Sequence, residues 1–261
     1  MHYQDIRYVK EDGIVTITLN RPERRNAFSA EMSDSIRLAV EDAAGDGNVR
    51  VLILTGAGSA FCAGADVKAM SAGVGQPGGG GEGGSDHVSL PLLLHQFDKP
   101  VIAAINGVAV GGGLDLALAC DIRIASSQSR FAEVFIRRGL IPAMGGIFFL
   151  PRLVGIDRAC QIIWTGDMIS ADEAERIGLV TTVVPHDELE SATWELAEKL
   201  AKGPPLAIQK AKRAIYQGLG ADLETSLKAT SAAVGELRNT DDHAEGARAF
   251  VEKREPVFRG K

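Results

Sequence analysis

Three cysteines in 261 residues, Cys62, Cys120 and Cys160, are too few and too irregularly spaced for a disulfide framework or a thiolate metal centre. Each sits among apolar or small residues, so reduced thiols, no metal and a cytoplasmic setting are expected. The chain does not open on the basic-then-apolar pattern of a signal peptide, and every long apolar run meets Gly, Asp or Pro before spanning length. Positive charge is not in excess either. A formal net charge of -6 speaks against a nucleic-acid surface or a polybasic membrane anchor. An anionic ligand would need a local cluster of Lys or Arg.

What remains is ordinary globular composition, 45% hydrophobic and 24% charged, enough for one large or two small domains. Glycine is where the chain becomes specific. Residues 71–86 are a low-complexity run that cannot bury a core and reads as a mobile loop. Within it Gly73, Gly75 and Gly78 spell G-x-G-x-x-G, but no strand precedes them and no helix opens on them, so a dinucleotide fingerprint is rejected.

Two other glycine loops follow apolar strand-like runs. Val101 to Ile105 leads through Asn106-Gly107 to Gly111, Gly112 and Gly113, and then Leu114, Leu116, Ala117 and Leu118 fit a buried helix. A helix N-terminus opened by glycine presents unpaired N-H groups and partial positive charge, and lets a ligand approach closely. Asp115 lies about one turn in, beside the same opening. The run Val49 to Thr55 likewise feeds the small-residue loop Gly56 to Asp66. Two such loops at neighbouring strand ends can aim two N-H groups at one oxygen.

Elsewhere, Ile6 to Lys10 and Ile14 to Leu19 predict a hairpin, and Ser29 caps a helix running to Ala44. A helix is expected over 88–97 and short strands at Ile122 to Ala125 and Arg130 to Phe135. A helical run follows at Ile147 to Leu153, and Ser170 with Glu173 forms a capping box. Gly178 ends that helix before a strand from Leu179 to Val184. From Leu189 only helices are predicted: to Ala201, then Pro205 to Gln217, Ala221 to Arg238 and Asp241 to Arg254. The shift in composition puts a boundary near residue 200. The chain is thus read as an α/β core, residues 1–200, and a helical region, residues 201–261.

Several blocks together resemble the enoyl-CoA hydratase/isomerase (crotonase) family. They are Asn20-Arg21-Pro22 with Asn26-Ala27, Phe61 to Met70, Lys99 to Gly107, Gly111 to Leu116, Cys120-Asp121, Gly139 to Pro142 with Gly145-Gly146, Thr165 to Ala174, and Ala249 to Arg254. They occur in family order over nearly the full length. The resemblance implies a spiral of ββα turns, a C-terminal helical trimerisation region, and a trimer or dimer of trimers. It also implies a CoA thioester as substrate, no separate cofactor, and a thioester oxygen held by two backbone N-H groups, those of Ala65 and Gly112. Ala63, Gly64, Asp66 and Lys68 then border CoA. Arg24 and Arg25 are local cations for its phosphates, and Phe250 and Lys253 match tail positions that reach a neighbour's CoA.

Family hydratases use two glutamates. By the resemblance the first position is Asp115 and the second Phe135, so the second carboxylate is expected to be missing. Phenylalanine can neither activate water nor protonate the α-carbon. Ala143 stands where some isomerases and dehalogenases carry an aspartate. Glu133, two residues before Phe135 and on its face if the strand is extended, is assigned a surface or supporting role. His87 and His95 read as structural or solvated, and Cys62 has no base at a recognisable spacing. Phe135, Phe148 and Phe149 fit either an acyl pocket or ordinary core.

A single carboxylate suffices to move a proton along an enolate. The expectation is therefore an enolate-forming acyl-CoA enzyme, an isomerase or hydratase, with Asp115 as acid/base. The alternatives are a crotonase-fold thioester hydrolase, decarboxylase or C-C lyase, or a protein that binds acyl-CoA without chemistry.

Overall fold

The computed structural model describes residues 3–66 and 86–261, the side chains of residues 86–89 excepted. Lys68, most of the glycine-rich run and the His87 side chain lie outside the described residues. The chain begins with the hairpin β1 (Ile6–Glu11) and β2 (Ile14–Leu19), followed by α1 (Ala30–Gly45), β3 (Val51–Gly56), β4 (Ala60–Cys62) and α2 (Asp86–Gln96). It continues with β5 (Val101–Ile105), β6 (Val108–Val110), α3 (Gly112–Leu118), β7 (Ile122–Ser126) and β8 (Arg130–Ala132). Next come α4 (Gly146–Val154), α5 (Ile156–Thr165), β9 (Ile169–Ser170), α6 (Ala171–Arg176) and β10 (Thr182–Val184). The helices α7 (Leu189–Ala201), α8 (Pro205–Gly218), α9 (Leu223–Leu237) and α10 (Asp241–Glu252) close the chain.

The strands form a six-stranded sheet, ordered β1-β2-β3-β5-β7-β10, and a four-stranded sheet, ordered β4-β6-β8-β9. Three successive pairs, β3/β4, β5/β6 and β7/β8, each give one strand to either sheet. The crossing from one sheet to the other is tight: a Cβ on Gly56 would lie 2.2 Å from the Ala60 carbonyl oxygen, and one on Gly107 2.2 Å from that of Ser59. Asn106 ties the two crossings together, accepting the Gly56 N-H and donating to the Gly58 and Ala60 carbonyls.

The continuous apolar runs are explained by cover on both faces. In β3, Leu52 and Leu54 face the main core with α1, whereas Val51 and Ile53 pack with Leu189 and Ala197 of α7 on the other side. Helix starts follow the sequence signals. Ser29 Oγ accepts the Met32 N-H at 3.0 Å and Ser170 Oγ the Glu173 N-H at 3.2 Å. Some expectations need correction. The strand expected from Leu179 starts at Thr182, because the Leu179 and Val180 N-H groups both donate to the Ala174 carbonyl to end α6. The strand expected from Arg130 to Phe135 ends at Ala132, and residues Val134–Arg138 wind into a 3-10 turn that Gly139 terminates at φ 68°. Helix α5 has no counterpart in the sequence reading. No helix among the described residues is long and apolar enough to cross a membrane.

Candidate active site

The site is built where β6 hands over to α3. Gly111 turns the chain at φ 54°, and its N-H is held by the Ala132 carbonyl at 2.8 Å. The helix then starts at Gly112, whose N-H, like those of the first residues of any helix, has no partner inside the helix. Gly113 backs onto the other loop, since a Cβ there would lie 2.1 Å from the Cys62 carbonyl oxygen. Glycine is required by this approach of two backbones.

The second loop, residues 63–66, is anchored from α1's entry. Ala63 N-H donates to the Arg25 carbonyl at 3.0 Å, and Phe28 N-H to that of Gly64 at 2.9 Å. The Ala65 N-H finds no backbone acceptor among the described residues. Asn26, fully buried, secures the approach by donating to the Ala57 and Ala60 carbonyls. Gly64, at φ 80°, meets the start of α3 directly, its Cβ position being 3.1 Å from the Gly112 nitrogen. The two loops inferred from separate stretches are thus in contact, through Gly64 and Gly112.

Asp115 is fully buried in the first turn of α3, and its Oδ2 accepts the Met144 N-H at 3.1 Å. Met144 also covers Gly112, where a Cβ would meet its sulfur at 2.8 Å. The structure corrects one expectation here: Asp115 has a carboxyl neighbour. Of the surface and supporting roles expected for Glu133, its full burial excludes the first, and it faces Asp115. A Cβ on Gly146 would lie 2.2 Å from Asp115 Oδ1 and 3.0 Å from Glu133 Oε1, so one glycine accommodates both groups. Alternation along a strand missed the relation because β8 stops before Glu133. Phe135 is instead half-buried on the 3-10 turn with its ring 3.5 Å from where a Cβ on Gly111 would lie.

Burial raises Asp115 from the usual aspartate range to about 6, and hydrogen bonding from Glu133 and the backbone of Met144 and Gly146 opposes the rise. Glu133 is pushed well above the usual glutamate range, first by burial and then by the charge of Asp115 and the hydrogen bond to it. A carboxyl near 6 takes and returns a proton at neutral pH, the property that general acid-base chemistry requires.

Across residues 9–261 the chain matches the family model described as enoyl-CoA hydratase/isomerase. It is 40% identical over 255 residues to a short-chain-enoyl-CoA hydratase of Clostridium acetobutylicum, covering 97% of each chain. It is 37% identical to a 1,2-epoxyphenylacetyl-CoA isomerase of Escherichia coli, over 96% of this chain and 97% of the other. A crystal structure of an enoyl-CoA hydratase from Bacillus anthracis superposes with a TM-score of 0.93 at 40% identity, over 99% of this chain and 100% of that one. The chain belongs to the enoyl-CoA hydratase/isomerase family.

For this hydratase/isomerase-family enzyme the remaining sequence candidates divide. Asp66 lies next to Ala65 and pairs with Arg21 at 3.7 Å. Arg24 and Arg25 are exposed beside the same loop, on the turn at residues 22–25. Phe250, 87% exposed, and Lys253 sit at the end of α10. No hydrogen bond, ion pair or ring contact among the described residues joins either to the glycine loops. His95 packs against Phe149 and Tyr216, and burial lowers its pKa. Cys62 donates to the Asn26 carbonyl at 3.0 Å, and burial pushes its thiol up to about 12, which suits a structural thiol and not a nucleophile.

Proposed function

We propose that this enzyme forms a CoA-thioester enolate and uses it for double-bond isomerisation or for hydration of an enoyl-CoA. The Ala65 and Gly112 N-H groups receive the thioester oxygen and stabilise the charge it gains as the α- or γ-proton leaves. Donors fixed where charge develops each lower such a barrier by roughly 3–4 kcal/mol. Asp115 takes that proton, or delivers one, directly or through a water molecule.

The observation that carries this reading is the contact of the two glycine loops, with Gly64 set against the Gly112 nitrogen. Phe135 at the second glutamate position favours isomerisation, for which one reacting carboxylate suffices. Hydration is kept as the second reading because the Clostridium acetobutylicum relative bears the name of a short-chain-enoyl-CoA hydratase.

Ala63, Gly64, Asp66, Lys68 and Arg24 border the CoA moiety, and Phe135 borders the acyl group. Phe250 and Lys253 serve the CoA of a neighbouring subunit in a trimer or dimer of trimers. Their exposure supports that arrangement, as does that of Leu223 and Leu227 on α9, 75% and 58% exposed in the single chain. The active site lies in residues 1–200 and the oligomerisation region in 201–261. The enzyme works in the cytoplasm on fatty acyl-CoA metabolism, with no cofactor beyond the CoA of its substrate.

The test is to supply 3-enoyl-CoA and crotonyl-CoA to the purified protein and to Asp115→Asn. Conversion of 3-enoyl- to 2-enoyl-CoA, or hydration of crotonyl-CoA, lost in the variant, is the expected result. Equal turnover by the variant would remove Asp115 from the chemistry.

A further inference from the structure

Oδ1 of Asp115 and both carboxyl oxygens of Glu133 are buried with no well-formed hydrogen bond among the described residues, although the Gly146 backbone also favours the charge on Asp115. The two side chains nevertheless face one another, and the Gly146 Cα-H side leaves no room between them and the backbone. Two facing carboxylates cannot both be ionised in such a place, and carboxylate oxygens supply no donor of their own. A proton held by the pair supplies the missing donor.

We propose that Asp115 and Glu133 share one proton, held by Glu133, so that Glu133 is the positioning residue that keeps Asp115 ionised and aimed at the substrate. The asymmetry comes from the backbone. Asp115 Oδ2 has the Met144 N-H to support its charge, whereas Glu133 has no such donor. A protonated Glu133 then donates to Asp115, the hydrogen bond that each residue's titration behaviour reflects.

Among the described residues no cation pairs with either carboxyl. Arg137 and Arg138 on Glu133's own turn are exposed, Arg137 pairing with Asp167 at 3.0 Å and Arg138 lying over the Phe135 ring. Arg152 of α4 lies over the Phe148 ring, and Asp157 and Arg158 of α5 are exposed. On α6, packed against β8, Asp172, Glu175 and Arg176 are exposed and Glu173 pairs with Arg176. Among the described residues Asp115 is the one charged group that acts on Glu133.

The inference rests on Asp115 as the base of the proposed reaction, but its first test uses no substrate. Infrared difference spectra of the free protein, recorded from about pH 5 to 8, report protonated carboxyl groups. A protonated carboxyl persisting at neutral pH in the wild type and in Asp115→Asn, and missing from Glu133→Gln, is the expected result. Its absence from the wild type at neutral pH would overturn the proposal whether or not the enzyme turns over enoyl-CoA.

The second test is the pH profile of kcat/KM on 3-enoyl-CoA. Glu133→Gln retains a neutral donor, so it keeps kcat within a few-fold of wild type but loses the alkaline limb set by the shared proton. Glu133→Leu leaves Asp115 without that donor and lowers kcat on the order of a hundredfold. A Glu133→Gln profile superposable on the wild type would show that Glu133 only fills space.

Discussion

The Met144 N-H donates to Asp115 Oδ2 over 3.1 Å, which ties the one-turn-in carboxylate of α3 to the loop that follows the 3-10 turn. Met144 at the same time lies over Gly112. One residue therefore touches both the Asp115 carboxylate and Gly112, the proposed oxyanion donor. Replacing the carboxylate by an amide keeps this geometry and removes the proton acceptor. Asp115→Asn is expected to lower kcat on enoyl-CoA by about 10²–10⁴-fold with little change in KM, as steady-state kinetics would show.

The same substitution is expected to stabilise the fold. Asp115 is raised to about 6 by burial, so between about pH 4 and 6 the folded state binds more protons at this residue than the unfolded state does. Its contribution to stability is greatest below the unfolded pKa and falls as pH rises through the folded one. Asp115→Asn should thus gain about 1–3 kcal/mol near pH 7.5 and almost nothing near pH 4, measured from denaturant midpoints.

Glycine substitutions separate steric contact from backbone strain. At Gly113 a Cβ would lie 2.1 Å from the Cys62 carbonyl oxygen and 2.8 Å from its Cβ. Gly113→Ala must push the two loops apart, costing about 3 kcal/mol or more and moving the Gly112 N-H. Gly139, at φ 68°, has nothing within 4 Å of its Cβ position. Gly139→Ala should cost only about 1–2 kcal/mol and spare activity. Thermal unfolding and turnover of the two variants check the contrast.

The glycine loops, the Ser29 and Ser170 caps and the alternation of strands with helices were legible because each rests on a local rule of backbone geometry. Glu133 was not. Its relation to Asp115 depends on β8 ending at Ala132 and the chain winding into a 3-10 turn, whereas counting along an extended strand pairs it with Phe135. The helix α5 was missed for a related reason: its buried stripe, Ala159, Ile162 and Ile163, is short and follows directly on α4. The helix expected over 88–97 runs from Asp86 to Gln96, with Pro91 inside it.

The C-terminal helices are joined to the core through a buried ion pair. Lys212 of α8 donates to Asp121 Oδ2 at 2.7 Å and to the Lys99 carbonyl at 3.0 Å, while Tyr216 donates to Asp121 Oδ1 at 2.6 Å. Lys212→Met leaves a buried carboxylate short of its cation and is expected to cost about 3–5 kcal/mol. Denaturant unfolding measures the loss, and adding Asp121→Asn should restore part of it.

Deuterium incorporation tests the enolate most directly. Incubating the enzyme with 3-enoyl-CoA in deuterated water and examining the recovered thioester by mass spectrometry and NMR should reveal deuterium at the α or γ carbon. That label should vanish in Asp115→Asn. Release of free CoA or a shortened acid, or recovery of bound thioester with no label, would contradict the account.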